Sequence, residues 1–263
     1  MSSITLSLIQ APLQWEDPAV NRAYFEEKIK ALSGKTQVVI LPEMFSTGFS
    51  MKPETLAEDM EGPSVSWMKE MAAASKVILT GSLMIRDGED FYNRLIWMLP
   101  NGQYGTYDKR HRFAYAGEDE HYTAGSKRFI ASVNGWRINL QVCYDLRFPV
   151  WARQQYTDEG FEYDVLIYVA NWPERRNRAW KTLLQARAIE NQCYVIGVNR
   201  IGEDGNGIYH SGDSSVVDPM GEVLYTKAHE EDVFTITLDK AHLEAVREKL
   251  PFWKDADSFE ILL

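Results

Sequence analysis

The chain has 263 residues, 45% of them hydrophobic and 25% charged, with a formal net charge of -10. That balance is globular and supplies a sizeable core, while the acidic excess argues against nucleic acid as a partner, since a phosphate backbone calls for a basic stripe. Two cysteines, Cys143 and Cys193, build neither a disulfide framework nor a C-x-x-C zinc pair, so a reducing, cytoplasmic location is expected, and no run reaches the ~18 apolar residues of a membrane span.

Ile4 to Gln10 alternates as a strand, and Met1 to Ser3 lead into it without a basic segment or a small-residue cleavage site, so no secretion signal is expected. Asp17 as a cap and Pro18 after it open a helix with apolar positions Val20, Tyr24, Phe25, Ile29 and Leu32. Gln37 to Leu41 is an apolar run of strand length that stops at Pro42-Glu43-Met44. A helix from about Ser64 to Ser75 and a strand from Val77 to Ile85 follow. Asp87-Gly88 and Pro100-Asn101-Gly102 then punctuate antiparallel segments, including Arg94 to Leu99.

Tyr104 to Asp108 reads as a strand ending at Lys109-Arg110-His111-Arg112. Residues 110–127 show no clear period, which is long for a structureless loop and marks it as functional. Arg128 to Val133, an Asn134-Gly135 turn and Trp136 to Cys143 make a hairpin, and a helix runs from Pro149 to about Gln155. Asp164 to Ala170 is a buried-strand run ending at Asn171-Trp172-Pro173, and a helix spans about Asn177 to Asn191. Tyr194–Val198, Ser214–Val217, Val223–Thr226 and Val233–Leu238 are the closing strands, followed by a short helix from Ala241 and an irregular tail from about 251. No linker divides the chain, so residues 1–263 read as one domain. About a dozen strands with four or five helices do not fit a doubly wound sheet. They fit a four-layer α-β-β-α sandwich, an α/β fold with two mixed sheets face to face and helices outside.

Three buried runs end on polar groups, at Glu43, Cys143 and Asn171, and ligands sit outside the carboxyl ends of strands in α/β sheets. In the Cys143 segment, Trp136, Ile138, Leu140 and Val142 share one face, and the cysteine stands at a strand-to-helix turn. There the Tyr144 N–H and a nearby helix start favour thiolate. If these ends are neighbours, a carboxylate at Glu43 can take a thiol proton and an ammonium at Lys109 can stabilise an oxyanion; taken singly, Cys143 also reads as a buried structural cysteine, Glu43 as a loop acid and Lys109 as part of a solvated basic run. Cys193, inside an apolar strand, reads as core. Trp172 is either a core aromatic or a pocket wall, and the strand tip favours the wall. The Glu118-Asp119-Glu120-His121 cluster lacks a compact metal-ligand spacing, and no Walker loop or G-x-S-x-G elbow is present.

Glutamate, lysine and cysteine in this order, each inside an extended signature, resemble the nitrilase superfamily of carbon-nitrogen hydrolases. The signatures are Leu41-Pro42-Glu43-Met44, Tyr107-Asp108-Lys109-Arg110-His111 and Val142-Cys143-Tyr144-Asp145-Leu146-Arg147-Phe148-Pro149. Ala186 to Gln192 and Gly212-Asp213-Ser214 are also typical, so the resemblance covers essentially the whole chain. Within the superfamily, Val169-Ala170-Asn171-Trp172-Pro173 and Glu118-Asp119-Glu120-His121-Tyr122 look like the bacterial omega-amidases that act on 2-oxoglutaramate.

The resemblance implies a glutamate base (Glu43), a lysine (Lys109), a cysteine nucleophile (Cys143) and an assisting glutamate. By the spacing from Lys109 to Ala124-Gly125 the assisting acid is Glu118, with Glu120 as the other candidate. It also implies hydrolysis of a small-molecule amide through a thioester, no cofactor, and a homodimer. Tyr144, Asn171 and Trp172 are the expected substrate contacts, and Arg112, Arg147, Arg175 and Arg176 are the cations available to a substrate carboxylate. Nitrilase, carbamoylase and other aliphatic amidase specificities stay open, as does a non-catalytic partner-binding member of the fold. A redox sensor at Cys143 would lack a resolving cysteine nearby in sequence.

Overall fold

A computed structural model describes residues 3–158 and 160–262. The first sheet takes β1 (Ser3–Gln10), β2 (Val38–Ile40), β3 (Ile78–Asp87), β4 (Asp90–Met98) and β5 (Tyr104–Asp108). The second takes β6 (Ile130–Val133), β7 (Trp136–Val142), β10 (Val165–Ala170), β11 (Tyr194–Asn199), β12 (Ile201–Glu203), β13 (Tyr209–Val217) and β14 (Val223–Ala228), and a small hairpin, β8 (Tyr156–Thr157) with β9 (Gly160–Phe161), stands apart. The last strand, β15 (Asp232–Asp239), returns to the first sheet, whose order is β15-β1-β2-β3-β4-β5; the second runs β12-β13-β11-β10-β7-β6, with β14 on β13. In each sheet a parallel centre (β1-β2-β3; β7-β10-β11) is flanked by antiparallel strands.

Strand alternation builds the layers. Leu6, Leu8, Ile40 and Trp97 of the first sheet meet Trp136, Ile138, Leu140, Val142, Ile167 and Ile196 of the second in one inter-sheet core. The opposite faces carry Ile9, Val39 and Leu79, covered by α1 (Pro18–Ala31) and α3 (Pro63–Ser75), and Leu166, Tyr168 and Val195, covered by α6 (Asn177–Asn191). The central strands β2, β10 and β11 are buried on both faces, as their continuous apolar runs demand, while the outer β14 and β15 stay largely open. The four-layer α-β-β-α sandwich expected from the sequence is the observed one.

Local expectations fare unevenly. Asp17 caps α1 through its carboxylate and the Val20 N–H at 3.1 Å, with Pro18 in the first turn. Val20, expected inside, is half-exposed, because the buried stripe runs through Asn21, Phe25 and Ile29. The helix from Pro149 stops at Ala152 (α5), since Arg153 is already extended at ψ 116°. Sequence reading also missed the short α2 (Pro53–Leu56) and the β8–β9 hairpin. The last helix, α7 (Lys240–Lys249), is anchored by Arg247, which donates to Asp164 at 3.0 Å and to the carbonyls of Tyr163 and Gln192.

Residues 110–127 are not structureless. They form a 3-10 turn (Ala114–Ala116) and the one-turn α4 (Glu118–His121), joined at Gly117 with φ +75°, and are tied down by Thr123 N–H to Phe91 and Gly125 N–H to Lys109. Gly125 passes so close to β5 that a Cβ there would lie 2.0 Å from the Asp108 carbonyl oxygen, which excludes any side chain.

Candidate active site

The polar strand tips meet. β7 and β10 are adjacent and parallel, with Val142 opposite Val169, so Cys143 and Asn171 leave the second sheet side by side. Glu43, three residues past the end of β2, comes from the first sheet and is joined to Asn171. The Asn171 N–H donates to Glu43 Oε2 at 2.8 Å, and its side-chain amide donates to the Glu43 carbonyl at 2.6 Å. Met44, at φ +44°, bends the chain away behind the carboxylate, and its N–H is held by Ser82 Oγ.

Lys109, at the end of β5, is buried between two equally buried carboxylates. Its Nζ lies 2.9 Å from Glu43 Oε1, and 2.9 and 2.8 Å from the two oxygens of Glu118. Asn93, on β4, bridges the same pair, donating to Glu43 at 2.8 Å and Glu118 at 3.3 Å. Glu118 also accepts the Phe113 N–H. Glu120 is exposed and does not reach the cluster, so of the two candidate acids only Glu118 stands beside Lys109.

Cys143 is half-buried and opens a 3-10 turn (Cys143–Arg147) in the left-handed region, at φ +45°. For a residue with a side chain such a backbone is strained and persists only where its surroundings hold it. Burial pushes the Cys143 thiol well above its ordinary range, Glu43 and Glu118 push the same way, and Lys109 and the Asn171 N–H oppose them. These influences oppose the thiolate that a helix start favours. The turn is 3-10, α5 is a single turn, and two carboxylates stand against one ammonium. Burial works against the Lys109 charge, but Glu118 and Glu43 outweigh it and hold the ammonium above the usual lysine range. Glu118 is raised above the ordinary carboxylate range, by burial first and against Lys109, with Glu43 adding to it. Cys143 thus stands next to a carboxylate that is itself hydrogen-bonded, which suits proton transfer at the moment of attack.

Above the thiol opens a cavity of about 600 Å³. Cys143, Tyr144, Asn171 and Trp172 all line it, and Phe49 and Phe113 add aromatic wall. Trp172 is both wall and core. It is buried, donates Nε1–H to the Arg176 carbonyl at 2.9 Å and packs on Trp180. Cys193 is fully buried under α6, as expected of core.

Of the four candidate arginines, Arg147, Arg175 and Arg176 line the cavity, while Arg112 turns away to the carbonyls of Asp119 and Tyr122. Arg147 lies over Trp172 at 4.9 Å and Arg176 over Phe113 at 5.0 Å. None of the three is ion-paired among the described residues. Burial and the neighbouring Arg175 and Arg147 charges hold Arg176 below the ordinary guanidinium range, Cys143 opposing. The acids at the rim are engaged elsewhere: Glu16 with Ser50 and Lys52, and Asp204 with the N–H groups of its own turn. Three arginines of the wall thus stand without an ion-paired acid among the described residues, whereas Lys52 is paired with Glu16.

Sequence reading missed Asn93 and the partners of Asp145. Asn93 offered one signal, an amide within a strand whose next residues are apolar and buried from Leu95 to Met98. A buried amide in such a place needs partners.

The carbon-nitrogen hydrolase family model matches residues 5–248. Omega-amidase YafV of Escherichia coli (strain K12) is 42% identical, covering 99% of this chain and 100% of its own length. The 2-oxoglutaramate amidase of Bacillus subtilis (strain 168) is 34% identical over 95% of this chain and 96% of its own. The crystal structure of XC1258 from Xanthomonas campestris, a CN-hydrolase superfamily protein with an arsenic adduct in its active site, superposes with a TM-score of 0.97 at 44% identity. It covers 99% of this chain and 100% of that one.

Proposed function

This chain belongs to the carbon-nitrogen hydrolase family and hydrolyses amides, and we propose that its substrate is the terminal amide of a small keto acid of the 2-oxoglutaramate type, cleaved through a thioester on Cys143. The observation that carries the substrate class is the trio Arg147, Arg175 and Arg176 around a cavity floored by Cys143, without an ion-paired acid among the described residues. A buried carboxylate is costly unless paired, and a guanidinium pairs it through two parallel hydrogen bonds. The relatives named for omega-amides and 2-oxoglutaramate support the same reading.

In the proposed reaction the amide carbonyl lies against Cys143 while the distal carboxylate meets the arginines. Glu43 takes the thiol proton as Sγ attacks the carbonyl carbon. The oxyanion is met by the Lys109 ammonium and the Tyr144 N–H. Glu43 returns the proton to the amide nitrogen, the C–N bond breaks, and ammonia leaves a thioester. Water, giving its proton to Glu43, then attacks the acyl carbon, and the acid departs as the thiol is reformed. Glu118 and Asn93 hold Lys109 and Glu43 in place throughout. Trp172 and Asn171 bound the substrate, and Asn171 also orients Glu43. The mechanism requires no cofactor. A homodimer and a cytoplasmic location complete the proposal, the first resting on family resemblance and the second on two free cysteines, which suit a reducing compartment.

The test is a side-by-side assay of 2-oxoglutaramate, glutamine, a neutral amide of similar length, an N-carbamoyl amino acid and an aliphatic nitrile. The expected order places 2-oxoglutaramate first in kcat/KM. Equal efficiency on the neutral amide or the nitrile would refute the substrate class and leave the amidase chemistry standing.

A further inference from the structure

Asp145 lies outside the cavity and is wholly buried, yet its carboxylate is fully engaged. Oδ2 accepts the Tyr107 hydroxyl at 2.7 Å and the Val142 N–H at 3.0 Å. Oδ1 accepts the His111 N–H at 2.9 Å and lies 2.8 Å from His111 Nδ1. Tyr107 and His111 stand two residues before and two after Lys109, while Val142 and Asp145 stand one before and two after Cys143.

We propose that Asp145 is a positioning residue of the reaction: its carboxylate fastens the turn carrying Cys143 to the strand end carrying Lys109, and so fixes the thiol and the ammonium relative to each other. This rests on the roles proposed above for Cys143 and Lys109. Two further observations support it. The bond from Val142 N–H to Asp145 spans Cys143 itself, the residue at φ +45°, and so restrains the strained backbone where restraint is needed. The Lys109 side of the clasp is itself locked, because the Tyr107 hydroxyl accepts Trp151 Nε1–H at 2.8 Å and the His111 ring stacks on Phe148 at 3.7 Å. Lys109 and Cys143 come from different sheets, so this link does not arise from strand pairing.

The decisive variant is Asp145→Asn, which keeps the shape but turns an NH2 group toward donors that need an acceptor. A positioning role predicts a folded protein with KM essentially unchanged. Its kcat, counted per Cys143 reactive to iodoacetamide, should fall about a hundredfold, the scale of an ångström-sized misplacement of reacting groups. Tyr107→Phe should lose part of that, and the double variant should be no slower than Asp145→Asn alone. If kcat per reactive site were unchanged, with lost activity tracking lost sites, or if the loss lay in KM, the proposal would be overturned. Should Asp145→Asn not fold, Tyr107→Phe decides: lower kcat at unchanged KM, in protein still fully folded at the assay temperature, supports the clasp, and unchanged kcat overturns it. Activity surviving in Cys143→Ala would instead overturn the underlying reading, so the two failures are distinguishable.

Discussion

The backbone N–H of Asn171 reaches across from the second sheet to Glu43 of the first, at 2.8 Å from Oε2. One residue thereby lines the cavity beside Cys143 and orients the carboxylate proposed to receive its proton. The two sheets are locked together at their polar ends as well as through their apolar faces, and the site inherits the rigidity of that joint.

Lys109→Gln is expected to lower kcat by about 2.7 to 4 kcal/mol of transition-state stabilisation with little change in KM, because the ammonium acts on charge that develops during attack. It leaves two buried carboxylates facing each other without their cation, so Tm should fall and the acid limb of the kcat/KM profile should move to higher pH. Steady-state kinetics across pH checks this, and a change confined to KM would make Lys109 a binding residue.

Glu118→Gln should depress kcat sharply, since an amide at that place turns an NH2 toward Lys109 or the Phe113 N–H. Glu120→Gln should be close to neutral, its side chain being exposed. Matched kinetics of the two variants decide, and the reverse order would mean the wrong acid had been assigned.

Among the arginines, Arg176→Met should cost more than Arg175→Met, because Arg175 is exposed while Arg176 is partly buried and feels Cys143. Loss of a charge-assisted pair worth about 1.5 to 3 kcal/mol gives roughly a tenfold to hundredfold fall in kcat/KM on a substrate bearing a carboxylate. The same variant should leave a neutral amide almost unaffected. Equal losses on both substrates would mean that Arg176 does not read the carboxylate.

His210, on the cavity wall, is held at about 4 against an ordinary 6.5, by burial first and then by the Arg200 charge. The unfolded chain therefore takes up a proton near pH 6.5 that the folded chain refuses until about pH 4. The resulting stability is complete above pH 6.5 and is lost as pH falls toward 4, by on the order of 3 kcal/mol. Urea unfolding at several pH values should show this slope in the parent and a flatter one in His210→Gln; identical slopes would contradict it.

Much of the fold was legible because it rests on local pattern. The runs Gln37–Leu41, Trp136–Val142 and Asp164–Ala170 announce buried strands, and their tips carry Glu43, Cys143 and Asn171. Glu118 and Glu120 lie two residues apart in one turn, and which of them turns inward is set by Gly117 at φ +75° and by Lys109 waiting inside. No periodicity encodes that choice. Asn93 and Asp145 draw their meaning from partners 50 and 38 residues away, so their roles appear only once the strands are paired. The surroundings of Cys143 are hidden from the sequence for a related reason. The nearby helix start was visible in sequence, whereas the two carboxylates that oppose ionisation converge only in space.

The proposed reaction passes through a covalent acyl group on Cys143. The parent enzyme, acid-quenched during turnover of 2-oxoglutaramate, should yield on mass spectrometry a protein heavier by the substrate less ammonia, with the added mass mapped to the peptide holding Cys143. Cys193→Ala should show the same adduct, and Cys143→Ala, still folded, should show neither adduct nor turnover. Turnover by folded Cys143→Ala, or an adduct mapped to any other residue, would contradict the account.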